Sequence, residues 1–219
     1  MYFDHSVYWI LASASPRRRE LMALLTEHFT CLPPEREEHI LHTAPYEAAA
    51  ALSAAKAEEL GETYEARLAA LQLPPRRPEA ALVIIGADTV VSCEGQIFGK
   101  PRDAAYAAEM LRMLRGRTHE VYTGVTLLLA EPGCRTADAY QKTFSEVTRV
   151  TVAADLTDAD IAAYIASGEP MDKAGAYGVQ GAFAKYVCGI EGDYYNVVGF
   201  PVCRVRRELQ QMRKTVFSR

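Results

Sequence analysis

Ile10-Leu11-Ala12-Ser13-Ala14-Ser15-Pro16-Arg17-Arg18-Arg19-Glu20-Leu21 takes an apolar run through a few small residues and straight into a basic helix start. The run reads as the end of a buried strand over residues 7–13. Ser15 is a natural N-cap, and Pro16 suits the first helical position, where its missing N–H is not needed. The arginines behind it carry the wrong charge for that end, because unpaired N–H groups already make it partly positive. A bound anion reverses the sign of that argument. Strand, tight turn and guanidinium forks together make a phosphate site. A solvated basic patch is the ordinary meaning of an arginine triplet. Here the triplet follows the carboxyl end of a strand, where ligands of α/β sheets gather. Helix residues point about 100° apart, so all of them cannot face one ligand. Arg17 and Arg18 are expected inward and Arg19 at the surface.

The frame around this stretch is that of an ordinary globular chain of 219 residues, 49% hydrophobic and 24% charged, long enough for one large domain. A net charge of −4 speaks against a duplex nucleic-acid binder, which shows a basic excess. Cys31, Cys93, Cys134, Cys188 and Cys203 form neither a C-x-x-C pair nor a zinc-like spacing. A reducing, cytoplasmic setting fits them. No secretory signal precedes the first strand and no apolar run reaches membrane-spanning length, so the expectation is a soluble, unprocessed protein without membrane partners.

Beyond the first helix, whose Leu21, Leu24 and Leu25 are expected on the core face, a short strand over Phe29–Leu32 runs into Pro33-Pro34 and the acidic residues Glu35, Glu37 and Glu38. Such a cluster is usually a solvated loop. Beside an anion site it is also where a divalent cation finds ligands, since Mg²⁺ commonly bridges carboxylates and phosphate oxygens. An alanine-rich helix is expected from Thr43, as cap, to Leu60, with Gly61 as its stop. Lys56 lies among Ala54, Ala55 and Ala57, small neighbours that permit close approach to another element, though a solvent-facing lysine is the ordinary explanation and periodicity alone does not decide. Residues 62–80 hold a second helical stretch and Pro74-Pro75-Arg76-Arg77-Pro78, and read as a surface insertion.

Ala81-Leu82-Val83-Ile84-Ile85-Gly86-Ala87-Asp88-Thr89-Val90-Val91 is dense in β-branched residues and reads as a central strand. Asp88 interrupts it. A carboxylate there is costly unless paired, hydrogen-bonded or bound to metal, and costly polar insertions concentrate at functional sites. A hairpin follows through Glu94-Gly95, then a helix capped by Asp103 and stopped at Gly116, with Ala107, Met110, Leu111 and Leu114 inward. Strands are expected over 119–130 and 140–153, and Thr157 with Asp160 makes a capping box for a short helix. The glycine-rich stretch Glu169 to Gly181 allows close approach to a ligand, and its polar residues could read a nucleobase edge. Strands over Phe183–Ile190 and Tyr194–Val198 and a helix over Val202–Lys214 complete the expectation.

Taken together, Ser13-Ala14-Ser15-Pro16-Arg17-Arg18, Gly86-Ala87-Asp88-Thr89-Val90-Val91, Gly99-Lys100-Pro101, His119-Glu120-Val121-Tyr122-Thr123-Gly124-Val125, Asp172 to Gly181, and Gly192-Asp193-Tyr194-Tyr195-Asn196-Val197-Val198-Gly199-Phe200-Pro201 resemble the Maf family of nucleoside triphosphate pyrophosphatases. The resemblance covers nearly the whole chain. It implies an elongated, two-lobed α/β fold around a mixed central sheet, similar to inosine triphosphate pyrophosphatases, forming a single domain over 1–219 with a cleft between the lobes. It implies cleavage of a nucleoside triphosphate between the α- and β-phosphates with a divalent metal, Mg²⁺ or Mn²⁺, and a homodimer. The Ser-Pro-Arg-Arg element is similar to the branch acting on dTTP and UTP. The alternatives are the branch acting on 7-methyl-GTP and a non-catalytic nucleotide-binding regulator of septum formation. By the same resemblance Asp88 matches the proton acceptor, and Arg17, Thr89 and Gln180 match positions linked to substrate choice. Ser15 belongs to the matching element, and Arg18, Glu38, Lys56 and Lys100 match further polar residues of the cleft.

The chemistry read from the residues agrees with that match. Phosphoanhydride hydrolysis needs positive charge on the polyphosphate, a metal to neutralise developing charge and a group to orient water. Arg17, Arg18, Lys56 and Lys100 are candidates for the first, Glu38 with Asp88 for the second and Asp88 for the third.

Overall fold

The computed structural model describes residues 7–37 and 44–217, so Glu38 and the expected cap Thr43 lie outside the described residues. In chain order the regular elements are β1 (Val7–Ala12), α1 (Pro16–Met22), β2 (Thr30–Cys31), α2 (Pro45–Ala70), β3 (Ala81–Cys93), β4 (Gln96–Phe98), α3 (Ala104–Leu114), β5 (Thr118–Ala130), β6 (Tyr140–Val152), α4 (Asp158–Ala166), β7 (Val187–Glu191), α5 (Tyr194–Val198) and α6 (Val202–Phe217). They build an α/β fold on a mixed sheet of order β2-β1-β3-β5-β6-β7, with β4 also paired to β3. No helix among the described residues is long and apolar enough to cross a membrane.

β3 is the spine, and its unbroken apolar sequence follows from burial on both faces. Val83, Ile85 and Ala87 pack with Trp9, Leu21 and Met22 and with Val205 and Leu209 of α6. Leu82 and Ile84 turn to the other face, against Leu60, Tyr64 and Leu68 of α2. A further cluster joins Phe98, Met110, Leu111, Ile161 and Phe183 beneath α3 and α4.

One edge of β3 is paired to β5 from Leu82 to Ser92. The opposite edge is split. β1 runs parallel to it only as far as Ala12 opposite Gly86, and pairing with β4 starts only at Val91, opposite Phe98. Residues 87–90 therefore form an opening in the sheet, and Asp88 and Thr89 sit in it.

α2 lies unusually close to the sheet. A Cβ on Gly86 of β3 would fall onto the Ser53 carbonyl, and one on Gly124 of β5 onto the Ala49 carbonyl. Ser53 Oγ and Thr126 Oγ1 share a hydrogen bond of 2.9 Å across the same contact.

Several local expectations are corrected. α2 does not stop at Gly61 but continues to Ala70. Gly61 is a buried contact point whose carbonyl accepts from Thr136 Oγ1, so packing overrides the glycine's low helix propensity. Leu24 is exposed and Met22 takes the core position, because α1 ends at Met22. Tyr194–Val198 is a helix, capped by Asp193 accepting from the Tyr195 N–H and ended by Gly199 at φ +110°. The capping signals outweigh its β-branched residues. The strand expected from Phe183 begins only at Val187, after a 3-10 turn.

The close contact of α2 is testable. Gly124→Ala is expected to cost about 3 kcal/mol of stability through overpacking against helix backbone. Gly133→Ala, in open space at φ +75°, is expected to cost about 1 kcal/mol. Urea unfolding of the two variants checks the difference.

Candidate active site

The sheet opening leads into a cavity of about 1120 Å³. Ser15, Arg17 and Arg18 line it from the β1–α1 turn, Lys56 from α2, Asp88 and Thr89 from β3, Lys100 from the loop after β4, and Gln180 from the glycine-rich loop. Every candidate residue named from the sequence is therefore brought to one cavity, except Glu38, which lies outside the described residues.

The β1–α1 turn forms as its sequence dictates. Ser13 Oγ accepts from the Ser15 N–H at 3.1 Å, and Ser15 Oγ accepts from the Arg18 N–H at 3.4 Å. α1 has only seven residues, so its dipole is a small term and the guanidinium groups carry most of the positive field. They part as expected: Arg19 is exposed and the other pair faces the cavity.

Arg18 is the fixed member. Its Nε donates to the Gly199 carbonyl at 2.8 Å and its Nη2 to Thr89 Oγ1 at 3.1 Å, while Asp88 Oδ1 lies 3.9 Å away. Thr89 Oγ1 also meets Thr123 Oγ1 at 2.9 Å, and Thr123 donates to the Asn196 carbonyl at 2.8 Å. Gly199 permits the approach: its backbone is left-handed, and a Cβ there would stand 3.2 Å from Thr89 Oγ1 and 3.5 Å from Arg18 Nε. Arg17 is looser, with Nη2 3.7 Å from Asp172 Oδ2 in a partly exposed pair. Such pairs contribute little to stability and are easily exchanged for a ligand.

Lys56 does not point to solvent. Its Nζ donates to Asp88 Oδ1 at 2.5 Å, and both side chains are almost buried, 8% and 12% exposed. The pair settles how a carboxylate is tolerated in an apolar strand: an ammonium and a guanidinium both face it. Among the described residues no group of three or more His, Cys, Asp or Glu side chains stands ready to enclose a metal. Asp88 faces the cavity between Lys56 and Arg18, with Glu20, Glu169 and Asp172 elsewhere on the wall, a spread of carboxylates that fits a divalent cation held partly by substrate phosphate oxygens, the mode Mg²⁺ favours.

Behind the wall, His119 Nε2 and the Tyr177 hydroxyl share a hydrogen bond of 2.7 Å, with their rings edge to face. Burial lowers the His119 pKa to about 4 and raises that of Tyr177.

Residues 8–212 match the family model of the Maf-like proteins. The chain belongs to that family. This Maf-like chain is 46% identical over 206 residues to a protein of Agathobacter rectalis named dTTP/UTP pyrophosphatase, covering 93% of this chain and 96% of that one. It is 46% identical over 201 residues to a protein of the same name from Carboxydothermus hydrogenoformans, covering 92% and 96%, and 42% identical over 202 residues to one from Lachnoclostridium phytofermentans, covering 92% and 93%. Among solved structures, a HAM1 protein from Coxiella burnetii overlays 68% of the Maf-like chain and 74% of its own, at 16% identity and a TM-score of 0.37.

Sequence reasoning had not singled out Thr123, Asn196 or Gly199 of the Maf-like chain as supports of the site. Gly199 carried a readable signal, as a glycine closing a short run behind an Asp cap. The hydroxyl chain through Thr123 had none, because it exists only once β3, β5 and α5 are packed together.

His119 makes a pH prediction. Below its ordinary pKa of 6.5 the unfolded chain takes up a proton that the folded chain refuses until about pH 4. Its stabilising effect is complete above that window and falls as pH drops through it. Between pH 7 and pH 5 the loss is expected to be about 2 kcal/mol. His119→Gln should remove most of that slope in urea unfolding curves.

Proposed function

We propose that this chain is a nucleoside triphosphate pyrophosphatase that hydrolyses dTTP and UTP to the monophosphate and pyrophosphate. The observation that carries the reading is the Lys56–Asp88–Arg18 cluster, which opens into one cavity with Arg17, Lys100 and Gln180. The named relatives supply the substrates, and the cluster supplies a way to do the chemistry.

In this reading Arg17, Arg18 and Lys100 grip the triphosphate tail, with Ser15 shaping the turn beneath it. Arg18 is preorganised by Gly199 and Thr89, so it loses little freedom on binding. The influence of Thr89 on substrate choice then runs through the guanidinium it orients. Among the described residues, both basic contacts of Asp88 are made through Oδ1, which leaves Oδ2 to accept a hydrogen bond from the attacking water. Lys56 holds the carboxylate in that orientation. The water gives a proton to Asp88 as its oxygen adds to the α-phosphorus, the bond from that phosphorus to the α–β bridging oxygen breaks, and pyrophosphate leaves with the electron pair.

A divalent cation, Mg²⁺ or Mn²⁺, bound with the triphosphate neutralises the charge that develops on the phosphates. Glu38, which lies outside the described residues, would hold it, with Asp88 holding it through the water that Oδ2 orients. Gln180 and the backbone of the loop around it read the Watson–Crick edge of the pyrimidine. A site built on hydrogen bonds discriminates more strongly than an apolar one. The same reading includes a cytoplasmic homodimer with two lobes about the cleft; of the expected 62–80 insertion, 62–70 are instead part of α2, with Tyr64 and Leu68 buried, and only 71–80 fit a surface insertion. The five unbridged cysteines suit a reducing compartment.

Asp88→Asn is expected to lower turnover by at least about 100-fold while UTP binding changes severalfold at most, measured by pyrophosphate release and by calorimetry. Near-normal turnover overturns the role of Asp88. Pyrophosphate release across the common triphosphates is expected to favour UTP and dTTP, and a purine preference overturns the substrate assignment.

A further inference from the structure

The loop that carries Gln180 is held by Tyr164, behind the cavity wall, and by Glu169, at its rim, neither of which enters the mechanism above. Gly178 to Gly181 form a turn, closed by the Gly181 N–H donating to the Gly178 carbonyl at 3.3 Å. Gln180 stands exposed on that turn, at the cavity wall. On one side of it the Gly178 N–H donates to the Tyr164 hydroxyl oxygen at 3.2 Å. On the other side the Ala182 N–H donates to Glu169 Oε2 at 3.0 Å. The two anchors are joined, because the Tyr164 hydroxyl donates to Glu169 Oε1 at 2.9 Å.

Both anchors are themselves fixed. Tyr164 projects from α4, 5% exposed, with its ring 5.2 Å from that of Phe183. Burial, with the Glu169 hydrogen bond, raises its pKa, so the hydroxyl remains a donor at neutral pH. Glu169 is tied through its backbone carbonyl to Lys173 Nζ at 2.5 Å. The glycines of the turn now have a reason. A Cβ at Gly181 would collide with the Glu169 carboxylate, and one at Gly178 would stand 2.8 Å from Lys173 Cε. The turn lies directly on its support, with no side chain between.

We propose that Tyr164 and Glu169 are specificity-positioning residues, a clamp that grips the backbone on either side of Gln180 and sets the orientation in which the loop meets the nucleobase. Tyr164 is not on the cavity wall, and Glu169, which is, has its two carboxylate oxygens engaged by the Tyr164 hydroxyl and the Ala182 N–H rather than turned to a phosphate. Its loss therefore weakens discrimination between bases and leaves the grip on the triphosphate tail unchanged. This inference rests on the reading of Gln180 as the residue that faces the base.

The test compares kcat and KM on UTP and CTP for Tyr164→Phe, Glu169→Gln, Gln180→Ala and the Tyr164→Phe/Gln180→Ala pair, with inorganic tripolyphosphate as a competing inhibitor. Tyr164→Phe and Glu169→Gln are each expected to lower the UTP-to-CTP ratio of kcat/KM by about tenfold, mainly through KM for UTP. Tripolyphosphate inhibition should stay at the wild-type level, which also reports a folded chain. In the Gln180→Ala background Tyr164→Phe should add less than about twofold, because the two act on one contact. If Gln180→Ala loses discrimination while Tyr164→Phe and Glu169→Gln keep it, the clamp is overturned and the base reading stands. If Gln180→Ala keeps discrimination, the base reading falls and the clamp falls with it. Should Tyr164→Phe fail to bind tripolyphosphate, Glu169→Gln, which preserves the side chain's shape, decides alone.

Discussion

Everything in the site depends on how closely one helix can approach one sheet. Gly86 and Gly124, on neighbouring strands, present bare backbone to Ala49 and Ser53 of α2, and any side chain at either glycine would lift the helix. With the helix seated, Lys56 reaches Asp88 from above the opening in the β3 edge. With the helix raised, a carboxylate would stand in an apolar strand without its ammonium, and a buried charge without its partner costs far more than the intact pair contributes. Packing and electrostatics are thus one constraint. Two missing Cβ atoms decide whether the charge pair exists.

The opening itself has an equally simple origin. β1 ends at Ala12 because the chain must turn into α1, and β4 is only three residues long, ending at Phe98 opposite Val91. The middle of β3 is left unpaired on one edge while β5 covers the other without interruption. A continuous strand on one side and a broken one on the other give a rigid floor under an accessible cavity. Functional groups on that floor keep the precision of a sheet while remaining open to a ligand.

Much of this was legible in the sequence because the signals were local. Ser15 and Pro16 announce a capped helix, Asp103 and the Thr157–Asp160 box announce two more, and the β-branched run from Ala81 announces the spine. Asp88 was conspicuous by its cost, and the arginines by their charge at the wrong helix end. What could not be read was set by distant partners. Lys56 on an alanine-rich helix has no periodicity that reveals its orientation, and only the glycines of β3 and β5 draw it inward. Gly61 looked like a stop because its packing partners, Leu128 and Thr136, lie far along the chain. Tyr194 to Val198 has strand-like residues, yet its ends carry helix caps, and the caps prevailed. Glu38 stood in an acidic cluster that suggested cation ligands, and only the resemblance singled it out from Glu35 and Glu37.

The bond from Arg18 to the Gly199 carbonyl links positions 181 residues apart. The second of them leaves the ribosome well after the first. Until then that guanidinium lacks the carbonyl that orients it. A stalled or truncated polypeptide therefore carries the N-terminal arginines without the organised grip. Competence is tied to the arrival of Gly199, so the grip and the fold around it are acquired together.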